Sequence, residues 1–129
     1  MINIVNEPTK IVFGNDSIVI QKFIAGLKGG RNLDTTGFTG TINAGHVIIT
    51  KEGAYKPMPV SGSAYASLPE GWSYAGILYR SILASKPFAS IMTQGQVNSA
   101  CLPYDMTSIL AAFKTACPHI EFIKDEASV

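Results

Sequence analysis

The chain has 129 residues, 47% of them hydrophobic, which is one domain's worth of sequence with ample apolar content for a core. Ten Lys and Arg stand against nine Asp and Glu, a net charge of +1, and no basic cluster is interleaved with aromatics, so nucleic-acid backbone binding is excluded. Only 15% of residues are charged and residues 37–50 and 57–69 carry no charge at all, so part of the surface is expected to be covered by an oligomer or a large partner.

Residues 1–10 read as an extended arm. Ile2, Ile4 and Val5 alternate with Asn before Pro8 and Thr9 interrupt, and such a segment either docks as an added strand on another chain or frays as a terminus. It lacks a basic region followed by an apolar core, so no secretory signal is expected. Lys10–Phe13 and Ser17–Leu27 flank a Gly14-Asn15-Asp16 turn signal and predict a hairpin; a short helix over Ser17–Leu27 is the alternative that β-branched density disfavours. The glycine cluster Gly26–Arg31 lacks the Lys-Ser/Thr and the spacing of a phosphate loop, and is read as a turn.

Thr35–Asn43 suits a loop or weak strand. His46–Thr50 is a strong strand by its β-branched residues, Glu52-Gly53 a turn, and Ala54–Pro57 the returning strand of a hairpin. Residues 57–71, with Pro57, Pro59 and Pro69 among Ser, Gly and Ala, read as one long surface loop. Tyr74–Tyr79 and Phe88–Thr93 are apolar runs bracketed by Gly71, Pro87 and Gly95, as buried strands are, with a bend expected at Gly95 before Gln96-Val97-Asn98.

From Asp105 to Ala116 the period changes. Met106, Ile109, Leu110 and Phe113 recur at helical spacing, Asp105 or Thr107 can serve as N-cap, and Pro118 ends the helix. Its apolar stripe must lie on the preceding strands, and Ile120–Ile123 is expected to return along the sheet as an edge strand. The expected fold is therefore mainly β with one C-terminal helix, a compact mixed sheet or barrel-like α+β domain over residues 11–129 behind the arm. The uncharged stretch Pro87–Tyr104 is interrupted by Gln94, Gln96 and Asn98, so no membrane span is expected.

Catalytic constellations are sparse. His46 lies at the mouth of an apolar strand, where a satisfied structural histidine is expected rather than a general base. Cys101, Cys117 and His119 lack a C-x-x-C spacing, so no metal site is read, and the two cysteines are taken as reduced, small buried hydrophobes. Neither a cofactor nor catalytic residues are assigned. Trp72, with Tyr65, Tyr74 and Tyr79, is expected to anchor core or interface contacts, with a carbohydrate or peptide groove as the alternative.

From Ala44 onward the sequence resembles the head decoration and head fibre proteins of tailed bacteriophages, the lambda-type decoration family. The resemblance lies in an ordered series: Ala44–Ile48, the Gly53–Pro57 hairpin, Ala75–Leu78, Ala89–Asn98, Ala100–Tyr104, then the helix and His119–Phe122. It implies a β-rich virion protein, made in the bacterial host cytoplasm and assembled as a homotrimer on the outer capsid surface, with the major capsid protein as partner and no enzymatic role. It implies attachment through the arm, with Ile2, Ile4, Val5, Pro8 and Thr9 expected at the capsid by position, and the aromatic residues Tyr65, Trp72, Tyr74 and Tyr79 are expected to contribute to subunit contacts. Whether such a protein is a cementing trimer or a fibre base stays open, given the longer portion at residues 11–36. A carbohydrate-binding or adhesin module is the second expectation, and a small hydrolase using His46 or His119 a distant third.

Overall fold

The computed structural model describes residues 19–27 and 29–123. The arm, with Ile2, Ile4, Val5, Pro8 and Thr9, and the first strand of the expected N-terminal hairpin lie outside the described residues. Among the described residues the fold is mainly β with one short helix near the C-terminus. In chain order the strands are β1 (Ile20–Gly26), β2 (Arg31–Asn32), β3 (Thr41–Ile42), β4 (Val47–Lys51), β5 (Ala54–Pro57), β6 (Val60–Ser61), β7 (Ala64–Tyr65), β8 (Ser73–Leu78), β9 (Ile82–Leu83), β10 (Phe88–Ala89) and β11 (Ile91–Asn98). Helix α1 (Leu110–Ala116) and strand β12 (Ile120–Ile123) follow.

The main sheet has the order β1-β11-β8-β4-β5, with β12 also paired to β11. Among the described residues this order is open, with no β1–β5 pairing to close a barrel. Strand β11 is its hub. Gly95 pairs with Phe23 of β1 and with Ile120 of β12, and Met92 pairs with Gly26 of β1 and Ile77 of β8, so β8 and β12 share the edge opposite β1. Because β12 runs parallel to β11, the chain needs a crossover between them, and α1 lies in that connection.

Apolar residues divide cleanly between the two faces of the sheet. Val47, Ile49, Ile77, Met92 and Val97 join Met106, Ile109, Phe113 and Cys117 in one cluster, while Ile48, Leu78 and Ile91 join Leu33, Ile42, Ile82 and Ala89 in another. A sheet covered on both sides explains why β4 reads as an unbroken apolar run instead of an alternating one. Phe113 anchors the helix, fully buried, with its ring 5.5 Å from that of Tyr74 and 5.9 Å from that of Phe122.

Three expectations change. The helix starts at Leu110, not Asp105, because the Asp105 carboxylate accepts hydrogen bonds from the backbone N–H (2.9 Å) and hydroxyl (2.6 Å) of Thr107, a turn that competes with helical geometry. No bend occurs at Gly95, and β11 continues through it to Asn98. Residues 57–71 are not a plain surface loop: β6 and β7 pair as a hairpin, and Met58 and Tyr65 are buried in the core. The expected Glu52-Gly53 turn forms with φ of 49° and 85°, the left-handed pair that a two-residue hairpin needs.

Candidate functional site

The approach to β4 is tightly determined. Gly45 has φ 95°, and a Cβ there would lie 2.7 Å from Val19 Cγ1 and 3.0 Å from Pro103 Cδ, so the chain passes between these side chains only as glycine. The Ala44 N–H donates to the Ser81 hydroxyl (3.0 Å), the Gly45 N–H to the Leu78 carbonyl (2.9 Å), and the Leu78 N–H returns to the His46 carbonyl (2.9 Å). These bonds deliver the His46 side chain into the interior, where it is 1% exposed.

As the sequence suggests, His46 is a satisfied structural histidine. Its Nε2–H donates to the Met58 carbonyl at 2.9 Å, and burial pushes its pKa down to about 4, the carbonyl bond offsetting only part of that effect. Three rings meet it edge-on, Phe38 at 5.5 Å, Tyr65 at 5.4 Å and Tyr104 at 5.4 Å between centroids. Tyr65 accepts the Val47 N–H at 3.0 Å, and burial raises the pKa of its hydroxyl.

Two of these rings, Phe38 and Tyr104, also line a surface cleft of about 390 Å³. Its other walls are Thr36 and Thr39, Lys56 and Pro57 at the end of β5, and Val60 at the start of β6. The 36–39 loop is shaped by Asp34, whose carboxylate accepts the Thr36 hydroxyl (2.6 Å) and N–H (3.1 Å); those two bonds hold its pKa below the usual carboxylate range, with a smaller contribution from the Lys56 charge. The Lys56 ammonium stands 4.5 Å from the centre of the Trp72 ring, a cation–π contact. Aromatic faces, hydroxyls and one cation supply recognition chemistry.

The four aromatic residues expected at a subunit interface all belong to or pack against one core cluster of the sheet. Tyr65 is 4% exposed and belongs to the core, where its hydroxyl accepts the Val47 N–H of β4. Tyr74 is half-buried against Phe113, Trp72 lies by Lys56, and Tyr79 is half-buried with its ring 4.5 Å from Phe23 and 5.2 Å from the Arg80 guanidinium.

Sequence reasoning missed Phe23, Ile24 and Phe88, the exposed large hydrophobic residues among those described, at 43%, 49% and 60% exposure. Phe23 and Ile24 are adjacent in β1, where the pairing with β11 is bulged between Phe23 and Ala25; two consecutive apolar residues after polar Gln21 and Lys22 were the available signal. Among the described residues, strand β1 ends the strand order of the sheet.

Among the described residues, no three His, Cys, Asp or Glu gather as a group able to hold a metal ion. No helix among them is long and apolar enough to cross a membrane. The chain matches no protein-family model, no curated protein and no solved structure.

Proposed function

We propose that this protein is a structural component of a bacteriophage virion that binds the outer surface of the capsid and stabilises or decorates the head as a homotrimer. The observation that carries the reading is β1: among the described residues it stands at one end of the sheet and exposes Phe23 and Ile24, and the sequence ahead of it includes the segment 1–10 whose alternating apolar residues suit strand addition. Apolar residues at a sheet end are a liability in a monomer and an asset in a symmetric assembly. The low charge and the ordered series from Ala44 to Phe122 support the same reading. In it, Phe23 and Tyr79 take the subunit contacts, and residues 1–10 reach the major capsid protein.

Light scattering over a dilution series tests the assembly. A trimer that persists on dilution and falls to a monomer with Phe23→Ser supports it, and a monomer at every concentration overturns it. Deleting residues 1–10 is expected to abolish retention on isolated phage heads while leaving the trimer intact; undiminished retention overturns the role of the arm.

A second reading, a carbohydrate-binding or adhesin module on the virion surface, is favoured by one observation, the cleft walled by Phe38, Tyr104 and Lys56.

A further inference from the structure

We infer that the cleft between the 36–39 loop and Tyr104 is a binding site for a pyranose sugar that bears a carboxylate, such as a uronic or sialic acid unit. The inference rests on the carbohydrate reading and is independent of capsid attachment. At about 390 Å³ the cleft sits near the lower end of the volumes that hold small molecules, about 300–1,000 Å³, which suits a ligand of one or two rings.

The main chain around the cleft argues against an extended peptide. Pro57 and Pro59 have no N–H to offer. The Met58 N–H is taken by the Val47 carbonyl (2.8 Å) and the Met58 carbonyl by His46. The Pro59 carbonyl accepts the Ala66 N–H (2.9 Å), the Tyr55 carbonyl accepts the Asp34 N–H (2.9 Å), and the Thr36 and Phe38 N–H groups are satisfied within their own turn. Strand addition needs a free ladder of such groups, and along the 55–59 wall those named are absent or committed. Recognition falls to side chains.

Those side chains match a sugar. A pyranose has an apolar C–H face and a rim of hydroxyls; the Phe38 and Tyr104 rings provide the apolar surface, the Thr39 and Tyr104 hydroxyls provide partners for the rim, and the Thr36 oxygen, whose proton goes to Asp34, can only accept. Both rings pack in T-shaped contact with the buried His46 ring, so the platform is formed before the ligand arrives. The Lys56 ammonium, 4.5 Å from the centre of the Trp72 ring, is the cation lining the cleft; it acts on Asp34 only as a minor contribution beside the Thr36 hydrogen bonds, and as a compact point charge it suits a ligand carboxylate.

Saturation-transfer NMR on the full chain, with glucuronic acid, N-acetylneuraminic acid, glucose and N-acetylglucosamine as probes, tests this. The two acids are expected to bind about tenfold more tightly than the neutral sugars, with Lys56→Met erasing that advantage. Tyr104→Ala is expected to silence all four, while Tyr104→Phe, which keeps the ring, retains the acids. Equal binding of acids and neutral sugars, or acid binding unchanged in Lys56→Met, overturns the carboxylate inference and leaves the carbohydrate reading standing. Silence from all four probes, with the wild-type chain folded by circular dichroism, overturns both.

Discussion

The Tyr65 hydroxyl accepts the backbone N–H of Val47 at 3.0 Å, so a side chain from β7 does for β4 what a neighbouring strand would otherwise do. The Val47 carbonyl is satisfied nearby by the Met58 N–H at 2.8 Å. Both partners come from residues 57–71, which ties that segment to the core. Replacing Tyr65 with Phe leaves the Val47 donor buried without its acceptor, at an expected cost of about 1–3 kcal/mol in denaturant unfolding. A Phe variant as stable as the wild type would show that Val47 finds another acceptor.

His46 makes stability depend on pH in a defined direction. Its pKa is depressed to about 4 in the fold, against 6.5 for a free imidazole, so between these values the unfolded chain binds more protons and stability rises with pH. The full stability is present above pH 6.5 and is lost as pH falls, by about 3 kcal/mol by pH 4. Urea titrations from pH 4 to 7 are expected to show this slope, and His46→Gln is expected to flatten it. The exposed turn carboxylates Asp34 and Asp105, whose pKa values are lowered mainly by the Thr36 and Thr107 hydroxyls, add their losses only at lower pH, as each is protonated in the fold.

Gly95 lies in β11 where β1 and β12 flank it on both edges. A Cβ there would collide with the Lys22 carbonyl oxygen and come within 2.6 Å of Met92 Sδ. Gly95→Ala is therefore expected to destabilise by about 1–3 kcal/mol through overpacking, read as a lower thermal midpoint, with amide exchange faster in β1 than in β4. Uniform acceleration across the sheet would argue against a local effect on β1.

The two cysteines, both unpaired, should separate by reactivity. Cys117 is buried, its thiol lies 3.9 Å from the Tyr74 carbonyl, and burial pushes its pKa up to about 11, while Cys101 is half-exposed. Thiol labelling of the folded protein at pH 8 is expected to modify Cys101 first and Cys117 only on unfolding. Equal rates would place Cys117 in a region that opens readily.

Much of the fold class was legible locally. The β-branched run Val47–Ile49, the Glu52-Gly53 turn and the stop at Pro118 depend on neighbours a few residues away, and period and turn chemistry report such neighbours well. The helix start was misjudged because Asp105 competes for the same backbone as the helical pattern, and periodicity does not register that competition. Gly95 was read as a bend because the sequence cannot show which strands approach it.

Thus the residues in order determined a β-rich chain with one late helix, apolar enough for a core and poor in surface charge. Tertiary structure alone decided that β11 is the hub, that β12 returns parallel to it, that Tyr65 turns inward, and that Phe38 and Tyr104 line one cleft while both contact His46. The reason is physical: strand register and ring contacts join segments tens of residues apart, and they are settled by how the faces of the sheet are covered, which local pattern does not encode.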